Sequence, residues 1–339
     1  MTDDTTHDRV ELEHDRSTER IDVIVDGDHF TTYQYASDDP VLSKPILQPI
    51  VSEDGGIVTR GYPLAPRPGE RVDHRHHTGH FFTYGVDPGI AGVNFWGVYD
   101  EIEPDEEQTK GRIVLDEIET VGGGDDGELV VRHTWERGDG TAILLERTAF
   151  RFGSTDTGRY IDRQTTLSAA DDVVPMPDDK EGMLGLRVAR SLELPATEAD
   201  RPPTEVVGQD GKPTTATGDV AIDPTGDYLS ATGETGLDVW GTRAKWMRLD
   251  GTVDGDAVAV TIMDHPENPG FPTYWHARGY GLFAANPLGQ AVFTDGAERM
   301  DFAIEPGEPA TFRYRIDIDS AVPDANALDQ RHRMWANES

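Results

Sequence analysis

Four histidines fall within seven positions in the run Asp73-His74-Arg75-His76-His77-Thr78-Gly79-His80. Imidazole exchanges protons near neutral pH, and its neutral form binds metals. In an extended chain successive side chains alternate. His74, His76 and His80 would then share one face, with Asp73 and His77 on the other. Two imidazoles on one strand face begin a metal site, which a carboxylate from elsewhere would complete. His74 and His76 are therefore the candidate ligands, and a divalent metal is the candidate cofactor. The bland alternative is a loop whose histidines bond backbone carbonyls and one another. After His76 the chain reads His-Thr-Gly-His-Phe-Phe, without the nearby Glu that a cupin pattern needs.

A second dense stretch runs Asp264-His265-Pro266-Glu267-Asn268-Pro269-Gly270-Phe271-Pro272-Thr273-Tyr274-Trp275-His276-Ala277-Arg278. His265 follows an apolar run and an acid, a place where a carboxylate can orient an imidazole for acid/base work. Pro266, Pro269, Gly270 and Pro272 stiffen the loop beyond it. An aromatic face beside His276 and Arg278 suits a sugar ring and an acid group. The plainer reading is a proline-rich loop pinned by a buried Trp275. A third stretch, Asp179-Lys180-Glu181-Gly182, leads into an apolar run that carries Arg187. Lysine occurs at only five positions, so an amine at Lys180 is a candidate for proton transfer, against the alternative of a solvated turn. The three stretches are expected to converge, with His76 or His77, Arg187, His265 and His276 lining one pocket.

Strands must position these groups. Arg112–Glu119, Glu128–Glu136, Thr141–Phe152 and Tyr160–Ala169 are β-branched or aromatic runs separated by Gly/Asp turns, the pattern of a meander. Further strands are expected at 21–35, 41–64, Leu184–Leu194, Val239–Leu249, Ala257–Met263, Gly281–Ala285, Gln290–Thr294 and Thr311–Ile318, with one helix at Asp324–Trp335. Residues 1–20 are charged and read as a disordered acidic N-terminus. Residues 195–227, rich in Pro, Thr, Gly and Asp, read as a mobile loop inside a single domain spanning 21–339. The fold class is all-β, a large antiparallel β-sandwich with few short helices.

The net charge is −34. Such a surface repels nucleic acid and anionic membranes. Acids spread along the whole chain with little lysine point to a halophilic protein, in which salt screens the self-repulsion. No cysteine is present, so thiolate metal sites and disulfides are excluded. The chain shows neither an apolar run long enough for a membrane helix nor a signal-peptide pattern, and a cytoplasmic location is expected. The Gly-x-Ser-x-Gly elbow, the phosphate loop, the dinucleotide fingerprint and His-Glu-x-x-His are all missing, which argues against nucleotide chemistry and ordinary serine hydrolysis.

Several segments together carry a resemblance: Lys44-Pro45, Val58-Thr59-Arg60, Asp73-His74-Arg75-His76-His77, Asn94-Phe95-Trp96, Lys180-Glu181-Gly182, Leu186-Arg187-Val188, Trp240-Gly241, Ala244-Lys245-Trp246 and the run 264–287. They resemble the PmoA-like family of soluble proteins, often labelled methane oxygenase, over roughly residues 40–320. Family members tend to carry an aromatic after the proline near Lys44, where this chain has Ile46. The resemblance implies a carbohydrate context and a galactose-mutarotase-like supersandwich. The expected function is a carbohydrate-active enzyme of hydrolase, lyase or epimerase type, acting on a sugar or sugar acid. His265, His276, Lys180 and Glu181 would be catalytic, and Arg187, Arg278, Trp275, Asn268 and His77 would hold the substrate. A non-catalytic sugar-binding sandwich and a metal-dependent oxygenase are the alternatives.

Overall fold

The longest strands come from the meander. In the computed structural model, which describes residues 9–35, 41–86, 89–97, 110–200, 203–216 and 222–338, they are Gly111–Gly122, Gly127–Arg137, Ala142–Thr155 and Gly158–Ala169. Gly127–Arg137 and Ala142–Thr155 show buried side chains alternating with more exposed ones, because successive residues of a strand point to opposite faces. These four continue through Ala310–Asp319, Asp256–Asp264, Trp246–Val253 and Asp227–Ser230 into an antiparallel back sheet of eight strands. The front sheet also has eight antiparallel strands. In spatial order they are Val10–Asp15, Arg20–Val25, Asp28–Gln34, Ile46–Ile50, His80–Tyr84, Gly182–Arg187, Leu282–Asn286 and Tyr274–Ala277. The architecture is thus the large antiparallel sandwich expected from the turn-punctuated pattern.

The main core lies between the sheets. Val23, Phe82, Leu184, Leu186, Trp275 and Phe283 of the front sheet meet Val131, Trp135, Phe150, Ile161, Ile262 and Phe312 of the back sheet. One polar seam crosses this core. Tyr33 Oη is 2.7 Å from His133 Nε2, while Glu146 accepts bonds from Trp135 Nε1 (2.7 Å) and Arg163 Nη2 (3.1 Å). Burial pushes the Glu146 carboxyl up, but His133 and Arg163 outweigh it and hold the group at about 2. Two smaller apolar clusters cap the outer faces. Ile46, Phe81, Leu282 and Ala284 pack with Trp96 and Tyr280 on the front sheet. Trp246 and Met263 pack with Leu328 and Trp335 of the C-terminal helix, Ala325–Glu338, on the back sheet. Among the described residues no helix is long and apolar enough to cross a membrane.

Four expectations are corrected. Val10–Asp15, read as disordered, is an edge strand paired from Val10↔Val25 to Asp15↔Arg20; Val10 is buried while charged residues face outward. Residues 1–8 lie outside the described residues. The loop at 195–227 contains a small hairpin, Glu205–Val207 with Pro213–Thr215; its residues 201–202 and 217–221 also lie outside the described residues. Gln290–Phe293 is a helical turn, not a strand. The strand expected at Leu184–Leu194 ends at Arg187, and that expected at Val239–Leu249 begins at Trp246, each adjoined by a short 3-10 turn.

Candidate active site

A row of residues crosses the outer face of the front sheet: Ile46, Phe81, Gly185, Ala284 and His276, fixed by the pairings Ile46↔Phe81, Phe81↔Gly185, Gly185↔Ala284 and Ala284↔His276. Glycine is needed at 185, because a Cβ there would lie 2.4 Å from the Phe81 ring. The small residues in the middle leave room for a loop above the sheet, and the histidine-rich segment fills it.

That segment is a turn, not an extended strand. His77 N donates to the His74 carbonyl (3.0 Å), and His74 adopts φ +41°, a region that non-glycine residues seldom occupy. Arg60, 1% exposed, holds the turn in place. Its Nη1 donates to the carbonyl (2.8 Å) and Oδ1 (2.9 Å) of Asp73, and its Nη2 to the carbonyls of His74 (2.8 Å) and His77 (3.0 Å). Gly79, at φ +55°, then turns the chain into His80–Tyr84; a Cβ there would sit 2.3 Å from the Leu47 carbonyl oxygen.

The turn builds a column of rings. Tyr280 stacks on His74 and His74 on His77, each pair 4.9 Å apart and 2° from parallel, and His77 continues onto Phe81 at 6.0 Å. His76 stands edge-on to His77 at 4.4 Å, and Trp96 edge-on to His77 at 5.5 Å. Arg187 supports the column from beneath. Its Nη2 donates to Asp73 Oδ1 (2.7 Å) and its Nη1 lies 3.3 Å from His77 Nδ1. An arginine can only donate, so His77 Nδ1 accepts and the ring proton sits on Nε2, which is buried without a partner. Burial, then His76, Arg187, His74 and Arg60, push the His77 pKa far down, so the ring is neutral. Burial raises the Asp73 carboxyl, but Arg187, the bond from His74 and Arg60 together hold it far below the usual carboxylate range. His74 Nδ1 is 3.2 Å from Asp73 Oδ2.

The third stretch meets the same place. Glu181 pairs with Lys180 Nζ, and its Oε2 is 3.7 Å from His276 Nδ1. His276 Nδ1 lies 2.9 Å from the Lys180 carbonyl, which also accepts from Asn286 Nδ2 (2.9 Å). Burial, with Lys180 and Arg278 nearby, drops the His276 pKa to about 3. A neutral ring bonded to a carbonyl donates from Nδ1, so His276 fixes the backbone beside Glu181. Burial also lowers the Lys180 amine; Arg278 adds to this and Asp179 opposes it. The resulting cavity, about 320 Å³, is lined by His74, His76, His77, Asn94, Trp96, Glu181 and Tyr280 among others.

The structure therefore brings together His74, His76, His77, Lys180, Glu181, Arg187, His276 and Arg278, with roles partly different from those expected. Arg187 is fully buried and serves Asp73 and His77, so it is a support and not a substrate clamp. Arg278 pairs with Asp200 and lies over Tyr280, 5.5 Å from the ring centre, at the margin of the site. Three expected residues are elsewhere. His265 belongs to the back of the sandwich, where it packs edge-on to Trp335 at 5.3 Å and its Nδ1 accepts from Glu267 N. Asn268 is spent on the backbone: Nδ2 bonds Asp264 Oδ1 and the Arg313 carbonyl, and Oδ1 accepts from Arg313 N. Trp275, on the inward side of its strand, is in the core with Nε1 on the Ala244 carbonyl. The 264–273 loop joins the two sheets, so Asp264 and His276 end on different layers.

The metal pair is also corrected. His74 and His76 do lie together, edge-on with ring centres 5.7 Å apart, but in a turn and not on one strand face, and among the described residues no group of three or more His, Asp or Glu side chains is placed to hold a metal ion. Sequence reasoning gave no site role to Arg60, Asn94, Trp96 or Tyr280. Gly279-Tyr280-Gly281, an aromatic between two glycines just after Arg278, was the available signal.

A family model described as a family of unknown function, DUF6807, matches residues 20–333. No curated protein matches the chain. Among solved structures, the Slr1438 protein from Synechocystis sp. PCC 6803 is similar at 10% identity and a TM-score of 0.34, over 93% of this chain and 97% of that one. A glycoside hydrolase family 97 enzyme variant from Pseudoalteromonas sp. is similar at 10% identity and 0.31, over 92% of this chain and 34% of that one. A putative aldose 1-epimerase from Escherichia coli is similar at 10% identity and 0.32, over 91% and 98%. At these identities and scores the likenesses assign no activity to this chain.

Proposed function

The chain belongs to the DUF6807 family, a premise that brings no activity with it, and we propose a function from the chemistry of the site: a carbohydrate-active enzyme that moves protons on a sugar or sugar acid. One observation carries the reading. A carboxylate, Glu181, lines the same cavity of about 320 Å³ as the imidazoles of His74 and His76 and the rings of Trp96 and Tyr280. That size falls in the range of small-ligand pockets, about 300–1,000 Å³. Aromatic rings cover the C–H faces of a sugar, and Asn94 offers both a donor and an acceptor for hydroxyls.

The acid/base pair in this reading is Glu181 and His74. Asp73, kept ionised by its two arginines, meets His74 Nδ1 and orients the ring so that Nε2 is the working atom. Glu181 accepts a proton from the substrate carbon or hydroxyl, and His74 delivers one to the oxygen that gains charge; a reversed direction exchanges their roles. Lys180 pairs with Glu181. His276 and Asn286 hold the carbonyl of Lys180 and so position Glu181 without touching substrate. His265, expected as a base, has no part.

The test is turnover and binding of a panel of hexoses, uronic acids and their glycosides by wild type and Glu181→Gln. Loss of one positioned acid/base group lowers rate by about 10²–10⁴-fold, with thermal unfolding unchanged. Wild-type binding without turnover, and equal binding by Glu181→Gln, would make the protein a sugar-binding module instead.

A further inference from the structure

Beside the candidate active site lies a second chamber of about 440 Å³. Arg71, Val72, Asp73 and His74 line one side, and Pro203, Thr204 and Glu205 the other. His74 is part of the wall of both cavities. The hairpin that forms the far wall is seated on the chain before the histidines. Arg71 bridges to Val206, Val207 N donates to the Glu70 carbonyl (2.8 Å), and Gly69 N donates to the Val207 carbonyl (2.7 Å).

The charges behind this chamber do not balance. Arg60 and Arg187 share the carboxylate of Asp73 at 2.9 and 2.7 Å. Arg71 and Arg190 share that of Glu193, Arg71 Nε at 2.7 Å. Four guanidiniums, all buried, thus face two carboxylates. Arg67 and Glu70 form a separate matched pair. Among the described residues, Glu205, exposed on the chamber wall, then leaves a surplus of one positive charge. Arg71 Nη2 is buried with no hydrogen-bond partner. Burial pushes the Glu193 carboxyl up, against Arg71 and Arg190. A chain of net charge −34 keeps a cationic surplus at this buried place. An uncompensated buried charge is costly, and a surplus of one is met by a monoanion.

Resting on the carbohydrate reading above, we propose that this chamber receives the carboxylate of the substrate, so that the sugar beside Glu181 is a uronic acid. The planar group would accept from the Arg71 guanidinium and from the Thr204 hydroxyl at the chamber wall, while His74, between the chambers, reaches the ring. A phosphate offers the same acceptor oxygens but carries nearly two charges near pH 7, one more than the surplus.

Isothermal titration of the full chain at fixed KCl tests this with D-glucuronate against D-glucose, D-galacturonate against D-galactose, and D-glucose 6-phosphate. At least one acid should bind about tenfold or more tightly than its parent hexose and than the phosphate, since a site built for a polar group rejects the analogue that lacks it. Arg71→Gln, its fold checked by circular dichroism and thermal unfolding, should abolish that preference. Glu205→Gln, an exposed change that folding tolerates, should strengthen acid binding. Equal binding of acids and hexoses, preference for the phosphate, or an acid preference that survives Arg71→Gln overturns the proposal while the carbohydrate reading stands. Arg71-dependent binding of succinate with no sugar of either kind bound overturns the carbohydrate reading, and with it the uronic acid, but keeps the chamber as an anion site. No binding of any probe overturns both.

Discussion

Asp73→Asn removes the one carboxylate that Arg60 and Arg187 share. The two guanidiniums are 1% and 0% exposed, so neither gains water when the charge is lost. Breaking a buried ion pair from one side costs about 3–5 kcal/mol. Asp73 itself is 29% exposed, and solvent offsets part of that, so a smaller loss, about 2–3 kcal/mol, is expected. Against a total stability of about 5–15 kcal/mol this is easily measured. Equilibrium urea unfolding followed by tryptophan fluorescence is the assay, because urea leaves ionic strength fixed. The midpoint should fall with the slope unchanged. In an Arg187→Met background the same replacement should cost about 1–3 kcal/mol less, since one of the stranded cations is gone. A loss below about 1 kcal/mol in the single variant would refute the reasoning, for it would mean that the arginines do not depend on Asp73.

Three further outcomes are expected. With a net charge of −34, thermal unfolding midpoints should climb from low to molar KCl as screening relieves self-repulsion; a flat or falling curve removes the halophilic reading. His276 is held at about 3 in the fold, against 6.5 for a free ring, so below 6.5 the unfolded chain binds the extra proton. Stability that is complete above pH 6.5 is then lost toward pH 3, at up to about 1.4 kcal/mol per pH unit; His276→Gln should flatten this slope in urea titrations, and an unchanged slope counts against the assignment. His265→Ala should cost about 1–2 kcal/mol through the lost contact with Trp335 and leave sugar binding untouched; lost binding at full stability would return His265 to the site.

Strand existence was legible where local chemistry decides it. The meander between 111 and 169 matches its expected strands to within a few residues, because β-branched runs and Gly/Asp turns set it without help from distant parts. The site was legible in its residue types and only partly in its geometry. Lys180, Glu181 and His276 were found as a scarce amine, an acid and an imidazole near aromatics. The alternation argument failed at His74–His77 because it assumed an extended chain, whereas Arg60, a distant residue, gathers the carbonyls and makes a turn. Asp264-His265 looked like an acid/base pair by adjacency. In the fold the Asp264 carboxylate accepts from Asn268 Nδ2 and Thr273 N, which pins the loop between the sheets. Val10–Asp15 was missed because an edge strand is charged on its free side, which is also how disorder reads.

The hairpin at 205–215 is seated on residues 69–71 through main-chain bonds. Such bonds do not depend on which side chains the hairpin carries. What the larger chamber admits can therefore drift, through changes at 203–205, without disturbing the histidine turn or its arginines. A library randomised at Pro203, Thr204 and Glu205 is accordingly the place to look first for altered ligand selectivity, and one randomised at Arg60 and 73–77 is the place to expect unfolded protein.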